Sequence, residues 1–127
     1  DFTVGAGTRM GMNDAIALAS NYNPGSAPTP SIPFTIALAC RKLRMSPAEA
    51  ISAVTINAAH VLRMDDEVGS LEPDKRADLQ VLDTRDEREL GYEFAGAGPR
   101  LVMLGGQIMH RRGALTRRQP AQPRRSV

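Results

Sequence analysis

Between Ser20 and Pro33 the chain carries four prolines, Pro24, Pro28, Pro30 and Pro33, together with Gly25, two asparagines and three serines. Proline lacks the amide donor and fixes φ, so this stretch can be neither regular helix nor central strand. It is a structured loop, and what flanks it decides the fold. On one side the apolar run Ile16-Ala17-Leu18-Ala19 feeds directly into it. Such a short run suits a buried parallel strand, although four residues alone do not separate strand from helix. A polar residue delivered from a strand end into a tight, glycine-bearing loop is a common layout for a binding site, because loops on a rigid scaffold carry function.

On the other side, Ile36, Ala37, Leu38, Ala39, Cys40 and Leu43 form a broad apolar stripe among good helix formers, predicting a mostly buried helix over 34–43. Ser46-Pro47-Ala48-Glu49 is a start signal for a second helix. Ser46 can cap, Pro47 suits the first helical position, and Glu49 can return to the cap backbone. Thr55 to Leu62 predicts a further helical turn or two, with Thr55 or Asn57 as its cap.

Beyond Arg63 an acidic stretch, Asp65-Asp66-Glu67, leads to Gly69 and the character changes to strand and turn. Residues 69–83 predict two short strands around a Pro73-Asp74 turn. Leu101 to Leu104 and Gln107 to His110 flank Gly105-Gly106, a hairpin signal because both central residues can take positive φ.

Charge is unevenly placed. The 127 residues carry a net +2, yet six arginines (Arg111, Arg112, Arg117, Arg118, Arg124 and Arg125) fall in the last seventeen positions, and residues 1–110 alone are net −4. The tail, with Pro120, Pro123 and little apolar surface, is expected to be disordered. No aromatic residue is interleaved there for base stacking, which argues against a nucleic-acid arm. No apolar run approaches the roughly 18 residues of a membrane span, so no membrane partner is expected. The lone Cys40 forbids an internal disulfide, reads as a small buried hydrophobe, and fits a reducing cytoplasm. The opening from Asp1 lacks the basic start and apolar stretch of a signal peptide, and a fragment of a longer protein is the expectation.

Several chemistries find no support. No phosphate-binding Gly-x-x-x-x-Gly-Lys occurs, and Gly5-Ala6-Gly7 lacks the third glycine of a dinucleotide turn. The pairs Asp65-Asp66 and Asp86-Glu87 sit in polar runs and read as solvated surface. His60 and His110 lie fifty positions apart with no His-x-His pair, so no metal site assembles from them.

Three stretches carry a resemblance. Gly69-Ser70-Leu71-Glu72-Pro73 with Lys75-Arg76-Ala77-Asp78-Leu79 resembles the Gly-x-Leu-x-Pro-Gly-Lys-x-Ala-Asp-Leu stretch of amidohydrolases, with Asp74 where that pattern has glycine. Asn57-Ala58-Ala59 is similar to the helix preceding it in the same superfamily. Ala17-Leu18-Ala19-Ser20-Asn21-Tyr22-Asn23-Pro24-Gly25-Ser26 narrows this further, being similar to the end of the last barrel strand in imidazolonepropionases, metal-dependent enzymes of histidine breakdown.

The resemblance implies an α/β fold, the C-terminal fragment of a TIM-type barrel (residues 1–64) plus part of a small β-sandwich (65–112), with an Arg-rich tail over 113–127. It implies hydrolysis of 4-imidazolone-5-propanoate to N-formimidoyl-glutamate with zinc or iron, with Asn23, Gly25 and Ser26 as substrate contacts. It places Asn21 where the family has an aspartate that is both metal ligand and catalytic base. An amide takes up no proton from an attacking water. The isolated chain is therefore expected to be inactive and to need no cofactor, the upstream barrel supplying the metal ligands. Exposed strand edges and an apolar face would favour covering by that barrel or by another copy of the chain. Two alternatives stay open: a related amidohydrolase or deaminase of another substrate, and a non-catalytic fragment whose basic tail binds acidic partners.

Overall fold

The computed structural model describes residues 16–96 and 98–113. The expectations for the opening residues and for the Arg-rich tail, apart from Gly113, fall outside the described residues. Among the described residues three helices come first: α1 (Ile32–Lys42), α2 (Pro47–Val54) and α3 (Ile56–Val61). A three-stranded sheet follows, β1 (Leu79–Val81), β2 (Leu101–Leu104) and β3 (Gln107–Arg111), with a 3₁₀ helix at Glu87–Gly91 between β1 and β2.

The helix starts follow from their caps. Ser31 accepts from the Phe34 N–H at the head of α1, one residue before Ile32 and two before Pro33. At α2 the full capping box forms: Ser46 Oγ accepts from Glu49 N, and Glu49 Oε2 accepts from Ser46 N at 2.7 Å. Those hydrogen bonds from Ser46, backbone first, hold the Glu49 carboxyl below its usual pKa. Two helices end in left-handed arginines, Arg44 after α1 (φ 57°) and Arg63 after α3 (φ 55°), at places where glycine is commoner. Neither end carried a glycine signal, yet Met45 N bonds back to Ala39 O and Met64 N to Ala59 O.

The core is small and alanine-rich. Leu18, Ile36, Ala39, Ala50 and Ala53 are buried together, with Cys40, Met45, Val54 and Leu90 packed against them. Close helix approach explains the alanines: Ala39, Ala50 and Ala53 are fully excluded from solvent. The Cys40 thiol, pushed up chiefly by burial and then by the Glu49 charge, faces the 3₁₀ helix, where a Cβ on Gly91 would come within 3.0 Å of its Sγ. This agrees with its reading as a small hydrophobe.

Three expectations need correction. The run Ile16 to Ala19 is not in a strand. Its buried residue, Leu18, donates its N–H to Ala53 O (2.9 Å) in the last turn of α2, so a helix end takes the hydrogen bond a neighbouring strand would have made. Of the two strands expected around Pro73-Asp74, only β1 forms, because the preceding residues turn. Lys75 N bonds Glu72 O, Arg76 N bonds Glu67 O, and Asp74 sits at φ 69°. Finally, Thr55 takes the N-cap position of α3 as expected, but neither its side chain nor that of Asn57 makes a cap bond. Thr55 Oγ1 donates backward to Ile51 O (2.7 Å), and Asn57 points away from its own helix.

The hairpin is as expected. β2 pairs antiparallel with both neighbours in the order β1-β2-β3, and Gly105 and Gly106 both take positive φ. Asp78 holds this turn from across the sheet: its Oδ1 accepts from Gly105 N (2.6 Å) while its other oxygen pairs with Arg76 at 3.1 Å. The Asp in Lys75-Arg76-Ala77-Asp78-Leu79 is thus structural. Gly69 joins the helical and sheet regions at φ 94°, where an added Cβ would lie 2.7 Å from that of Ala59.

Candidate functional site

The Asn21–Ala27 loop stands at the open surface, one residue after the Ile16–Ser20 segment. Asn21, Tyr22, Pro24, Gly25 and Ser26 are exposed, Asn23 is half-buried and Ala27 is buried. Asn23 and Ala27 close it as a tight antiparallel bridge through Asn23 N to Ala27 O (3.0 Å). Inside that bridge the Asn23 side chain organises everything. Its Oδ1 accepts from Gly25 N (2.9 Å) and Ser26 N (2.8 Å), and its Nδ2 donates to Asn21 O (2.7 Å) and lies 3.2 Å from Ser26 Oγ. An asparagine amide offers two donors and one twice-accepting oxygen. Here all are engaged within the loop.

The structure therefore brings Asn21, Asn23, Gly25 and Ser26 into one turn. Asn21 is left-handed (φ 50°), a conformation that asparagine tolerates better than most residues. Gly25 has no positive φ, and among the described residues a Cβ there would meet only Asn23 Oδ1, at 3.4 Å. Its glycine is not demanded by the loop's own packing.

His60 and His110 are not part of this turn. His60 Nδ1 pairs with Asp65 Oδ2 at 3.0 Å on the exposed side of α3; the hydrogen bond, then the charge, raises the His60 pKa and lowers that of Asp65. His110 lies in β3 opposite Val102. Among the described residues no group of three or more His, Cys, Asp or Glu side chains is arranged to hold a metal ion. Asn21 would offer a neutral amide, so the donors present do not make a metal centre. Asp86, read as solvated surface, has a job: it caps the 3₁₀ helix through Arg88 N and grips the Arg88 guanidinium, which holds its carboxyl down to about 2.

Two features went unread in the sequence. One is the clamp behind α1, where Phe94 packs edge-on against Phe34 with centroids 5.3 Å apart and Arg41 lies over both Tyr92 and Phe94. The other is Asn57, whose Nδ2 donates to Ile16 O at 2.9 Å across 41 residues. An asparagine in a helix that already had a candidate cap was the available signal. A shallow cleft between helices and sheet, lined by Pro33, Leu82, Leu90, Phe94 and Pro99 among others, does not include the Asn21–Ala27 loop.

The sequence that builds these elements matches a known family. The sequence profile of the Amidohydrolase family matches residues 2–109, and the chain belongs to that family, whose members share the TIM-barrel superfamily and are generally metal-dependent. Within it, the chain is an imidazolonepropionase-like amidohydrolase. It is 48% identical to the imidazolonepropionase of Solibacter usitatus over 100 residues, covering 79% of this chain and 24% of that protein. Identity is 43% to the imidazolonepropionases of Herpetosiphon aurantiacus (78% of this chain, 23% of that protein) and Geobacillus thermodenitrificans (77% and 23%). The chain thus spans about a quarter of the length of these curated relatives.

Proposed function

We propose that this chain is the C-terminal part of an imidazolonepropionase, residues 1–64 completing a barrel and 65–112 contributing to a β-sandwich beside it. The observation that carries the reading is the identity of 41–48% to imidazolonepropionases across some three quarters of the chain. In the whole protein the Asn21–Ser26 loop forms one wall of the site for 4-imidazolone-5-propanoate. Ring opening adds water to the ring carbonyl and breaks its C–N bond, leaving the carboxylate of N-formimidoyl-glutamate. A planar ring with N–H and C=O edges suits a wall of amide, hydroxyl and bare backbone. Gly25 supports this, since its missing side chain serves approach from outside rather than the turn itself.

Zinc or iron belongs to the upstream barrel in this reading. The residues described here supply no ligand set for it, so what they do is limited to shaping and orienting. Asn21 stands where a proton acceptor is needed, and an amide does not fill that role. By this reading the isolated chain opens no ring. The same residue favours a second reading, a related amidohydrolase or deaminase acting on another substrate.

A chimera tests both. Residues 16–110 replace the matching segment of the Solibacter usitatus relative, with either Asn21 or Asn21→Asp. We expect the aspartate version to turn over imidazolonepropanoate at least about 100-fold faster, the range general-base catalysis supplies. A folded aspartate chimera that opens no imidazolone ring overturns the imidazolonepropionase reading. A folded Asn21 chimera that turns over other cyclic amides or amidines in a substrate panel supports the second.

A further inference from the structure

Among the described residues no strand pairs with the segment that delivers the loop, so its ties to the helices bear on where the Asn21 turn sits. Segment 16–20 is tied to the helices at two atoms and one side chain. Leu18 N donates to Ala53 O (2.9 Å), Leu18 itself is buried among Ile36, Ala39, Ala50 and Ala53, and Ile16 O accepts from Asn57 Nδ2 (2.9 Å). The first two set the depth of the segment. Among the described residues it is the Asn57 bond that holds the end farther from the loop, and with it the direction in which the segment runs.

We infer that Asn57 is a positioning residue, a side chain on α3 that orients the Ile16–Ser20 segment and thereby aims Asn21 and the Asn23-organised turn. The inference deepens the proposed function and rests on its reading of the Asn21–Ser26 loop as a substrate wall. The side-chain hydrogen bond of Asn57 goes to Ile16, outside the loop. Its amide is spent neither on capping α3, whose N-cap Thr55 makes no side-chain cap bond, nor on a neighbour along the helix. A donor is required at this position, because its partner is a backbone carbonyl that only accepts. Asp is therefore the sharpest substitution: the same shape, with a carboxylate oxygen facing the Ile16 carbonyl oxygen.

The test uses the full 127-residue chain, labelled with ¹⁵N, as Asn57→Asp, as Asn57→Gln, which keeps the donor on a longer stem, and as His60→Gln, a control on the same helix that leaves the Ile16 bond alone. We expect Asn57→Asp to shift the amide resonances of Asn21, Asn23, Gly25 and Ser26, Asn57→Gln to shift them less, and His60→Gln to leave them in place. In the Asn21→Asp chimera, Asn57→Asp should lower kcat by about 10- to 100-fold with little change in KM, as misplacement of a reacting group does.

Loop resonances that stay put in Asn57→Asp, with changes confined to Ile16 and α3, overturn the inference. So do loop shifts of equal size in the His60→Gln control. Should Asn57→Asp fail to fold, Asn57→Ala, which removes the donor to the Ile16 carbonyl without adding a charge, decides by the same resonances. A parent chimera that hydrolyses nothing counts against the proposed function alone, because the resonances report the link between Asn57 and the loop without any turnover.

Discussion

In the helical region Ala39, Ala50 and Ala53 are closed off from solvent and Ile36 retains 5% exposure, whereas in the sheet no residue of β1, β2 or β3 is buried and all five of β3 are exposed. The two regions are held by different forces. Helix packing removes apolar surface from water, while the sheet is held by its ladder, by Asp78 on the Gly105 amide and by the Asp83–Arg112 pair at 3.6 Å. The candidate loop is attached to the first region through Leu18 and Asn57. Precision at the site thus comes from the part of the chain with its own core.

That contrast can be broken by paired truncation. Ile36→Ala should cost about 3 kcal/mol, the usual loss for a buried aliphatic side chain, whereas Ile108→Ala in β3 should cost under about 0.5 kcal/mol. Urea denaturation of both variants checks this, and equal losses would mean that the sheet is buried in solution against something else. Ser46→Ala should remove about 1 kcal/mol through the lost cap of α2, read as a lowered melting temperature. Asp74→Gly should act in the other region and in the other direction. It relieves a left-handed aspartate and should add up to about 1 kcal/mol, seen as slower hydrogen exchange around the 72–78 turn.

The smallest effect expected is electrostatic. The His60 pKa is raised from 6.5 and the Asp65 pKa lowered from 3.8 by their mutual hydrogen bond. The histidine's share of stability is complete below pH 6.5 and is lost as pH rises through its raised value. The carboxylate's share is complete above pH 3.8 and is lost as pH falls through its lowered one. Both groups are exposed, so solvent screens the pair. Melting temperature followed from pH 5 to 8 should fall more for the native chain than for His60→Gln.

The elements written locally in the chain were legible. The α2 capping box needs four consecutive residues, the Gly105-Gly106 hairpin needs two, and both formed as expected. What depended on distant partners was not. Nothing near Ile16 announces that Ala53 and Asn57 will take its segment's hydrogen bonds in place of a strand, and nothing near Tyr92 announces Arg41. The gathering of Asn21, Asn23, Gly25 and Ser26 in one turn was readable, because the spacing of an asparagine two and three residues ahead of the amides it accepts is local. Their consumption by one another was not readable, since it depends on where Asn23 points.

The closed circuit inside that turn has a thermodynamic consequence. With both amide hydrogens and the oxygen of Asn23 already engaged, any molecule that binds to this side chain must trade one hydrogen bond for another rather than add one. Such an exchange is nearly neutral in strength. Recognition there would be decided by shape and by angle, and a poorly aligned ligand would lose to the loop itself.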